Sequence, residues 1–261
     1  MASEKLPRVT GDDAEELIDF IRNYVNSSGC DGVVIGQSGG VDSAVTVKLA
    51  VDALGPERVH PIFLPTDVTP KGDYDCTKRM SDLWGMDYTV INIQPAIDSL
   101  IGIIGDELSS LEKGNIAARC RMAVLYERAK KMNCLVVGTS NQSELMMGYF
   151  TKHGDGASDL LPLVNMYKTN VWQLARIIGV PTEIIDKPPS AGFWEGQTDE
   201  DEMGIKYSIL DQILYGLESD RTDREISVTT GVDPETVSGI RRRVQSMKHK
   251  RLPAARPGKI L

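Results

Sequence analysis

The stretch that most constrains this chain is a short apolar run, Val33, Val34 and Ile35, which passes into GQSGGVDSAV at residues 36–45 and on into a helical pattern. A β-branched apolar run bounded by glycine reads as a buried strand, and the periodic segment after it reads as a helix. Glycines between a strand and a helix let the backbone turn tightly. They bring several N–H groups to one point, where the positive end of the helix dipole adds to them, and such a turn binds phosphate. The plainer reading is a tight turn with no ligand. That reading requires neither the Ser38 and Ser43 hydroxyls nor Asp42, whose carboxylate has the chemistry of a magnesium ligand.

The rest of the chain supplies a frame for that turn. Apolar runs recur at 33–35, 59–64, 88–93 and 135–137, and helical patterns follow at 42–54 and 70–85, with 95–105 and 112–132 sharing one longer connection. Strands that lack strict alternation and are each followed by a helix predict an α/β fold, a doubly wound parallel sheet flanked by helices on both faces. Ligands in such folds bind beyond the carboxyl ends of the strands, where Gln37 to Asp42 would lie. After residue 140 the pattern becomes a loop rich in glycine and aspartate. A helix then runs from Lys168 to Ile178, stopped by Gly179 and Pro181, and further helices are expected near 201–216, 221–230 and 234–247. The C-terminal third is therefore mostly helical. No repeat or low-complexity linker marks a boundary, so residues 1–261 are expected to form a single domain.

Composition excludes several classes. No apolar run approaches the roughly 18 residues of a membrane span, and the acidic N-terminus has no apolar core of a secretory signal, so a cytoplasmic protein without membrane association is expected. Cys30, Cys76, Cys120 and Cys134 are irregularly spaced and form no CxxC pair, which leaves them as reduced, half-buried fillers. A net charge of −8 argues against a general nucleic-acid binder. Residues 241–261 nevertheless carry eight Lys or Arg and no Asp or Glu, which marks a local anion site or a solvated end.

The kind of phosphate turn can be narrowed. The Walker pattern GxxxxGK[ST] fails for want of a lysine, and GxGxxG fails because the glycines stand at 36, 39 and 40. What remains, SGGVDS at 38–43, resembles the pyrophosphate loop of the N-type ATP pyrophosphatases. In that superfamily ATP is split between its α- and β-phosphates and AMP activates an oxygen of the substrate. Within it, KGNIAARCRMAVLYERA (113–129), GTSNQSELMMGYFTKHGDGASDLLPL (138–163), KPPSAGFWEGQTDEDEMGIKY (187–207) and KHKR (248–251) each resemble NAD synthetase. The resemblance covers nearly the whole chain in order.

The resemblance implies an adenine nucleotide alpha-hydrolase-like fold and the amidation of deamido-NAD to NAD by ATP and ammonia, through an adenylated carboxylate. It implies an ATP site of Gly36, Gln37, Ser38, Gly39, Gly40, Val41, Asp42, Ser43, Thr139, Lys168 and Ser190. Mg2+ would be held by Asp42 and Glu144, with Asp42, Glu144 and Lys168 as the catalytic set. Glu144 has a bland alternative as a helix-start carboxylate stabilised by the dipole. Lys168 opens a helix, where the dipole disfavours a cation, so a lysine facing triphosphate would make sense of it.

Deamido-NAD would meet Arg119, Lys152, Asp159, His249 and Lys250. Arg119 and Arg121 stand about 200° apart on their helix, so both cannot face one ligand, and Arg121 is left to ordinary surface ion pairs. No role is assigned to Asp155. The acidic run Asp199 to Glu202 reads as a first helical turn after a Thr198 cap and needs no function. The family is typically a homodimer with the deamido-NAD site at the subunit contact. Its glutamine-using relatives carry an additional amidase domain for which 261 residues leave no room, so ammonia is the expected nitrogen donor. Two rivals share the loop. A tRNA-modifying ATPase would want thiol pairs and a broad basic face with aromatics, which this chain lacks. A non-catalytic nucleotide sensor would have no need of Asp42, Thr139, Glu144, Lys152 and Lys168 together.

Overall fold

The computed structural model describes residues 6–194 and 196–257. Four parallel strands, β1 (Gly32–Gly36), β2 (Val59–Phe63), β3 (Thr89–Val90) and β4 (Cys134–Val137), form one sheet in the order β3-β2-β1-β4. The run read first in the sequence is central. Val33 pairs with Val59 on one side, and Val34 pairs with Val136 on the other. Val33, Val34 and Ile35 are wholly buried. Alternation splits them between two cores, Val33 and Ile35 facing one and Val34 the other, as the period of two requires. The expected strand over 88–93 shrinks to the two residues of β3, both exposed, because an edge strand is covered by nothing that would reward a longer ladder.

Helices α1 (Gly11–Ser28), α2 (Val41–Leu54) and α3 (Lys71–Trp84) precede α4 (Gln94–Ile104) and α5 (Ser110–Lys131). The first three contribute to the Val33 core, while α4 and α5 cover the Val34 face. Helix α1 adds to the elements expected from sequence. It buries Ile18, Ile21 and Val25 at helical spacing, and opens on a capping box in which Asp13 accepts the Thr10 N–H at 2.7 Å. Its acidic outer face dilutes the apolar signal. The chain then forms α6 (Gln142–Met147), α7 (Lys168–Ile177), α8 (Thr182–Ile185), α9 (Asp199–Met203), α10 (Tyr207–Glu218), α11 (Asp223–Thr230), α12 (Pro234–Ser246) and α13 (Lys248–Arg251). The single helix expected over 201–216 is two, because Gly204 takes a left-handed φ of 70° and closes α9.

Tyr207, Leu210, Ile213 and Leu214 of α10 pack with Met146 and Met147 of α6, Ile226 of α11, and Val237 and Ile240 of α12 in a third core. At roughly 1.5–3 kcal/mol for each fully buried large apolar side chain, this third core anchors α6 firmly. It thereby fixes the element that carries Glu144. Among the described residues no helix is long and apolar enough to cross a membrane, and all four cysteines are free.

Candidate functional site

The glycine-rich turn joins β1 to α2 at the carboxyl edge of the sheet. Gly39 holds it at a φ of +80°, and a Cβ there would lie 3.3 Å from the Asp73 Cα, so the position suits glycine twice over. The hydroxyls then lock the turn. Ser43 Oγ donates to the Gly40 carbonyl at 2.9 Å and accepts from the Ser38 N–H at 3.2 Å, while Ser38 Oγ accepts from the Gly40 N–H at 3.3 Å. Gly40 caps α2, Val41 is buried beneath its first turn, and Gly36 ends β1. Gln37 is 2% exposed and neither atom of its side-chain amide has a hydrogen-bond partner, a cost that a structure rarely carries without a use for the group.

Asp42, in the first turn of α2, meets two other charged side chains. The Lys168 ammonium donates to Asp42 Oδ2, and reaches Glu144 Oε1 at 3.3 Å. Lys168 is 2% exposed, whereas the side chains of both carboxylates are 16% exposed and so remain open to a ligand. The helix-start reading of Glu144 holds, and its second carboxylate oxygen is left for another partner. Its amide donates to the Asn141 cap at 3.0 Å and its Oε2 closes the capping box, while Oε1 faces Lys168. The Asn141 amide donates in turn to Asp42 Oδ1 at 2.9 Å, which fixes the carboxylate of one helix against the cap of another.

Burial, and then the neighbouring Asp42, push the Glu144 carboxyl up to about 8, with Lys168 opposing. Burial works against the Lys168 ammonium, but Asp42, Glu144 and Asp199 outweigh it and hold the amine above its ordinary value. Two carboxylates converging on one point offer a donor set that a divalent ion can take. Among the described residues no group of three or more His, Cys, Asp or Glu side chains is arranged to hold a metal. That limit fits Mg2+, which commonly takes one or two carboxylates and completes its octahedron with water and phosphate oxygens.

The starts of α6 and α7 are pinned by a buried aspartate. The Lys168 amide donates to Ser143 Oγ at 2.9 Å, Ser143 donates to Asp211 Oδ1 at 2.6 Å, and the Thr169 amide donates to Asp211 Oδ2 at 2.8 Å. Asp211 lies on α10 and is fully buried. Its position in a long helical pattern gives no sequence signal for this task.

Four of the five residues expected at deamido-NAD come together. Arg119 reaches the Lys152 carbonyl at 3.4 Å, and Lys152 Nζ donates to the His249 carbonyl at 2.8 Å. Lys250 Nζ donates to the Gly148 and Phe150 carbonyls, each at 2.7 Å, and lies 5.1 Å from the Phe150 ring centroid. The basic stretch from His249 to Arg251 is therefore docked, whereas Arg256 is exposed and residues 258–261 lie outside the described residues. Arg251 adds to the docking by donating to the Met146 carbonyl at the end of α6 at 2.6 Å. Asp159 is committed to the sheet, its Oδ2 accepting the Val136 N–H at 2.7 Å. Thr139 is half-buried beyond the end of β4, and Ser190 is exposed with its Oγ accepting the Gly192 N–H at 3.1 Å.

Arg121 corrects an expectation. Among the described residues it makes no surface ion pair; it is half-buried and donates from Nε to the Leu64 carbonyl at 3.1 Å beyond the end of β2. Asp199 corrects another. Thr198 does cap α9, accepting from the Asp201 N–H at 3.2 Å, yet Asp199 itself is 3% exposed and turns inward.

The segment bearing Ser190 closes onto α5. A Cβ at Gly114 would stand 2.3 Å from the Phe193 ring, which explains a glycine inside a helix. Gly114→Ala should favour the helix by roughly 1 kcal/mol on propensity yet expel Phe193. The expected result is faster proteolytic cleavage between 190 and 198 with a shift in Trp194 emission; an unchanged cleavage rate would show that Phe193 does not hold the segment down.

Comparison with known proteins adds the remaining facts. The family model described as NAD synthase matches residues 13–254. The NH(3)-dependent NAD(+) synthetase of Methanosarcina acetivorans is 43% identical over 238 residues, covering 90% of this chain and 93% of that protein. The solved NMN synthetase of Francisella tularensis is similar with a TM-score of 0.85 at 36% identity, covering 95% of this chain and 98% of that one. The NH3-dependent NAD synthetase of Campylobacter jejuni is similar with a TM-score of 0.80 at 31% identity over the same shares.

Proposed function

The chain belongs to the NAD synthase family, a C–N ligase that amidates deamido-NAD with ATP and ammonia, and we propose that Asp42, Glu144 and Lys168 carry that reaction. The observation that supports this assignment most is the convergence of the two carboxylates on the buried Lys168 ammonium beside the Ser38–Ser43 turn. We place the ATP triphosphate on that turn, with Gly36 to Ser43, Thr139, Lys168 and Ser190 around the nucleotide, and deamido-NAD against Arg119, Lys152, Asp159, His249 and Lys250.

The mechanism follows from charge and position. A nicotinate carboxylate is a poor target for ammonia, so its oxygen first attacks the α-phosphorus, breaking the bond to pyrophosphate and forming a mixed anhydride with AMP. Ammonia then adds to the anhydride carbonyl, AMP leaves with the bond electrons, and loss of a proton gives the amide. Mg2+ held by Asp42 and Glu144 would neutralise the β- and γ-phosphates and make pyrophosphate a better leaving group. Lys168 adds a fixed positive charge at the same place. The turn orients the triphosphate through its N–H groups. No covalent nucleophile of the protein is needed, since positioning and electrostatics supply the effect.

The assay incubates the protein with deamido-NAD, ATP, Mg2+ and ammonium and measures NAD, AMP and pyrophosphate. Equimolar NAD and pyrophosphate is the expected result, and ADP with phosphate contradicts it. A second reading, amidation of the mononucleotide, is favoured by the likeness to the Francisella NMN synthetase. Competing deamido-NAD against nicotinate mononucleotide in one tube decides between them by the ratio of products.

We further propose that residues 1–261 act as one synthetase domain in a cytoplasmic homodimer with the deamido-NAD site at the subunit contact. Support comes from α4 and the start of α5, where Leu100, Ile103, Ile104 and Leu111 are exposed, Ile103 to 77%. Exposed apolar side chains grouped on one helix and the start of the next are what a partner copy would cover. Ile103→Glu should shift the protein from dimer to monomer in sedimentation velocity, and an unaltered dimer would remove α4 from the contact.

A further inference from the structure

Asp199 does something that its place in the sequence does not require. The first turn of α9 is already capped by Thr198, and exposed carboxylates follow at Asp201 and Glu202. Asp199 instead sends its carboxylate inward. Its Oδ2 accepts from the Tyr207 hydroxyl at 3.1 Å, and its buried Oδ1 has no hydrogen-bond partner, the nearby Tyr149 hydroxyl donating to Glu202. A desolvated carboxylate oxygen left unpaired weighs against folding, so its retention needs a reason.

The surroundings supply one. The Tyr207 ring that holds Asp199 also carries the Lys168 ammonium, 5.4 Å from the ring centroid, and Trp172 braces that ring edge-on at 6.0 Å. The charge of Lys168 acts on Asp199, and Asp42, Glu144 and Asp199 in turn hold the ammonium in its charged form. The Asp199 amide also donates to the Pro189 carbonyl at 3.0 Å, beside Ser190. One residue thus touches the settings of Lys168 and Ser190, two of the three ATP-side groups that lie outside the glycine turn.

We propose that Asp199 is a positioning residue for Lys168, its unpaired Oδ1 being the acceptor that keeps the ammonium aimed at the nucleotide phosphates once Asp42 and Glu144 are engaged by the divalent cation. This rests on the ATP and metal assignment above. An ammonium has three N–H donors, and two of them serve Asp42 and Glu144 in the free protein. When those carboxylates turn to a metal, a buried lysine with no other anion behind it would lose both its partners and its direction. Asp199 supplies a fixed counter-charge that the metal does not claim.

The test uses the full chain. Asp199→Asn keeps the shape and an acceptor for Tyr207 but removes the charge. Calorimetric titration with ATP and Mg2+, without deamido-NAD, should show at least a tenfold loss of affinity. In steady-state kinetics KM for ATP should rise by a similar factor while KM for deamido-NAD stays within twofold. In a Lys168→Met background the same substitution should leave ATP affinity unchanged, since the side chain it serves is gone; equal effects in both backgrounds would overturn the proposal. Tyr207→Phe, which frees the Asp199 carboxylate while conserving packing, should move ATP affinity in the same direction by several-fold, and no change there combined with none in Asp199→Asn would also overturn it. If wild-type protein made no NAD at all, the functional assignment would fall first, an outcome distinct from a wild-type enzyme indifferent to Asp199.

Discussion

Replacing Lys168 with methionine should lower turnover by about a thousandfold or more, the scale on which a fixed cation at a transferring phosphoryl group acts. The substitution is close in shape and removes the charge together with the N–H donors that serve Asp42 and Glu144. Its effect on stability is expected to be smaller than the usual 3–5 kcal/mol for breaking a buried ion pair. The reason is that Glu144 can take up a proton, its carboxyl being pushed up to about 8 by burial and by Asp42. The sign of the pH dependence follows. A carboxyl whose folded-state value exceeds its unfolded value of 4.5 stabilises the fold below 4.5 and loses that contribution as pH rises through about 8. Without Lys168 to oppose it, this loss should deepen. Thermal unfolding of Lys168→Met should therefore fall between pH 6 and pH 9 more steeply than that of the wild type. Parallel curves would mean that the ammonium does not face Glu144.

Gly39→Ala carries the second large effect, and it acts through the backbone. At a φ of +80° an L-residue loses roughly 1–2 kcal/mol, and the new methyl group would press on the Asp73 Cα at 3.3 Å, in the backbone of α3. Relief can come only by moving the turn away from α3, which disperses the N–H groups proposed to meet the triphosphate. The variant should unfold a few degrees earlier, by the conversion expected for a chain of this size, and should bind ATP with an affinity reduced by at least about tenfold. Gly40→Ala is the control. Its φ is −91°, and a Cβ there would meet only Ser38 Oγ at 3.4 Å, so the fold should tolerate it. Equal losses in both variants would show that the conformation of Gly39 is not what shapes the turn.

These two positions also show what sequence can and cannot reveal here. The Ser38–Ser43 turn and its strand and helix were readable because the signals are local: an apolar run, glycines that free the backbone, hydroxyls, and an aspartate. Helix α1 was just as local, with Thr10 and Asp13 forming its capping box and Gly29 closing it, but its acids hide the stripe of Ile18, Ile21 and Val25 from any reading based on polarity. The division of the 201–216 segment turned on a single left-handed glycine, Gly204. Asp199 and Asp211 belong to a different class. What each does depends on partners far along the chain, Lys168 for the first and Ser143 and Thr169 for the second, so nothing in their own neighbourhoods announces it. Arg121 is similar, since only the packing of α5 across the sheet decides that it meets Leu64 and not water.

The central claim is that the turn after β1 grips the triphosphate while Asp42, Glu144 and Lys168 share its charge. A crystal structure of the protein with ATP and Mg2+ tests it directly. The account predicts phosphate oxygens against the amides of Ser38 to Ser43, an ion between Asp42 and Glu144, and Lys168 turned from those carboxylates onto the nucleotide. A nucleotide bound elsewhere, with Lys168 still bridging Asp42 and Glu144, would contradict it.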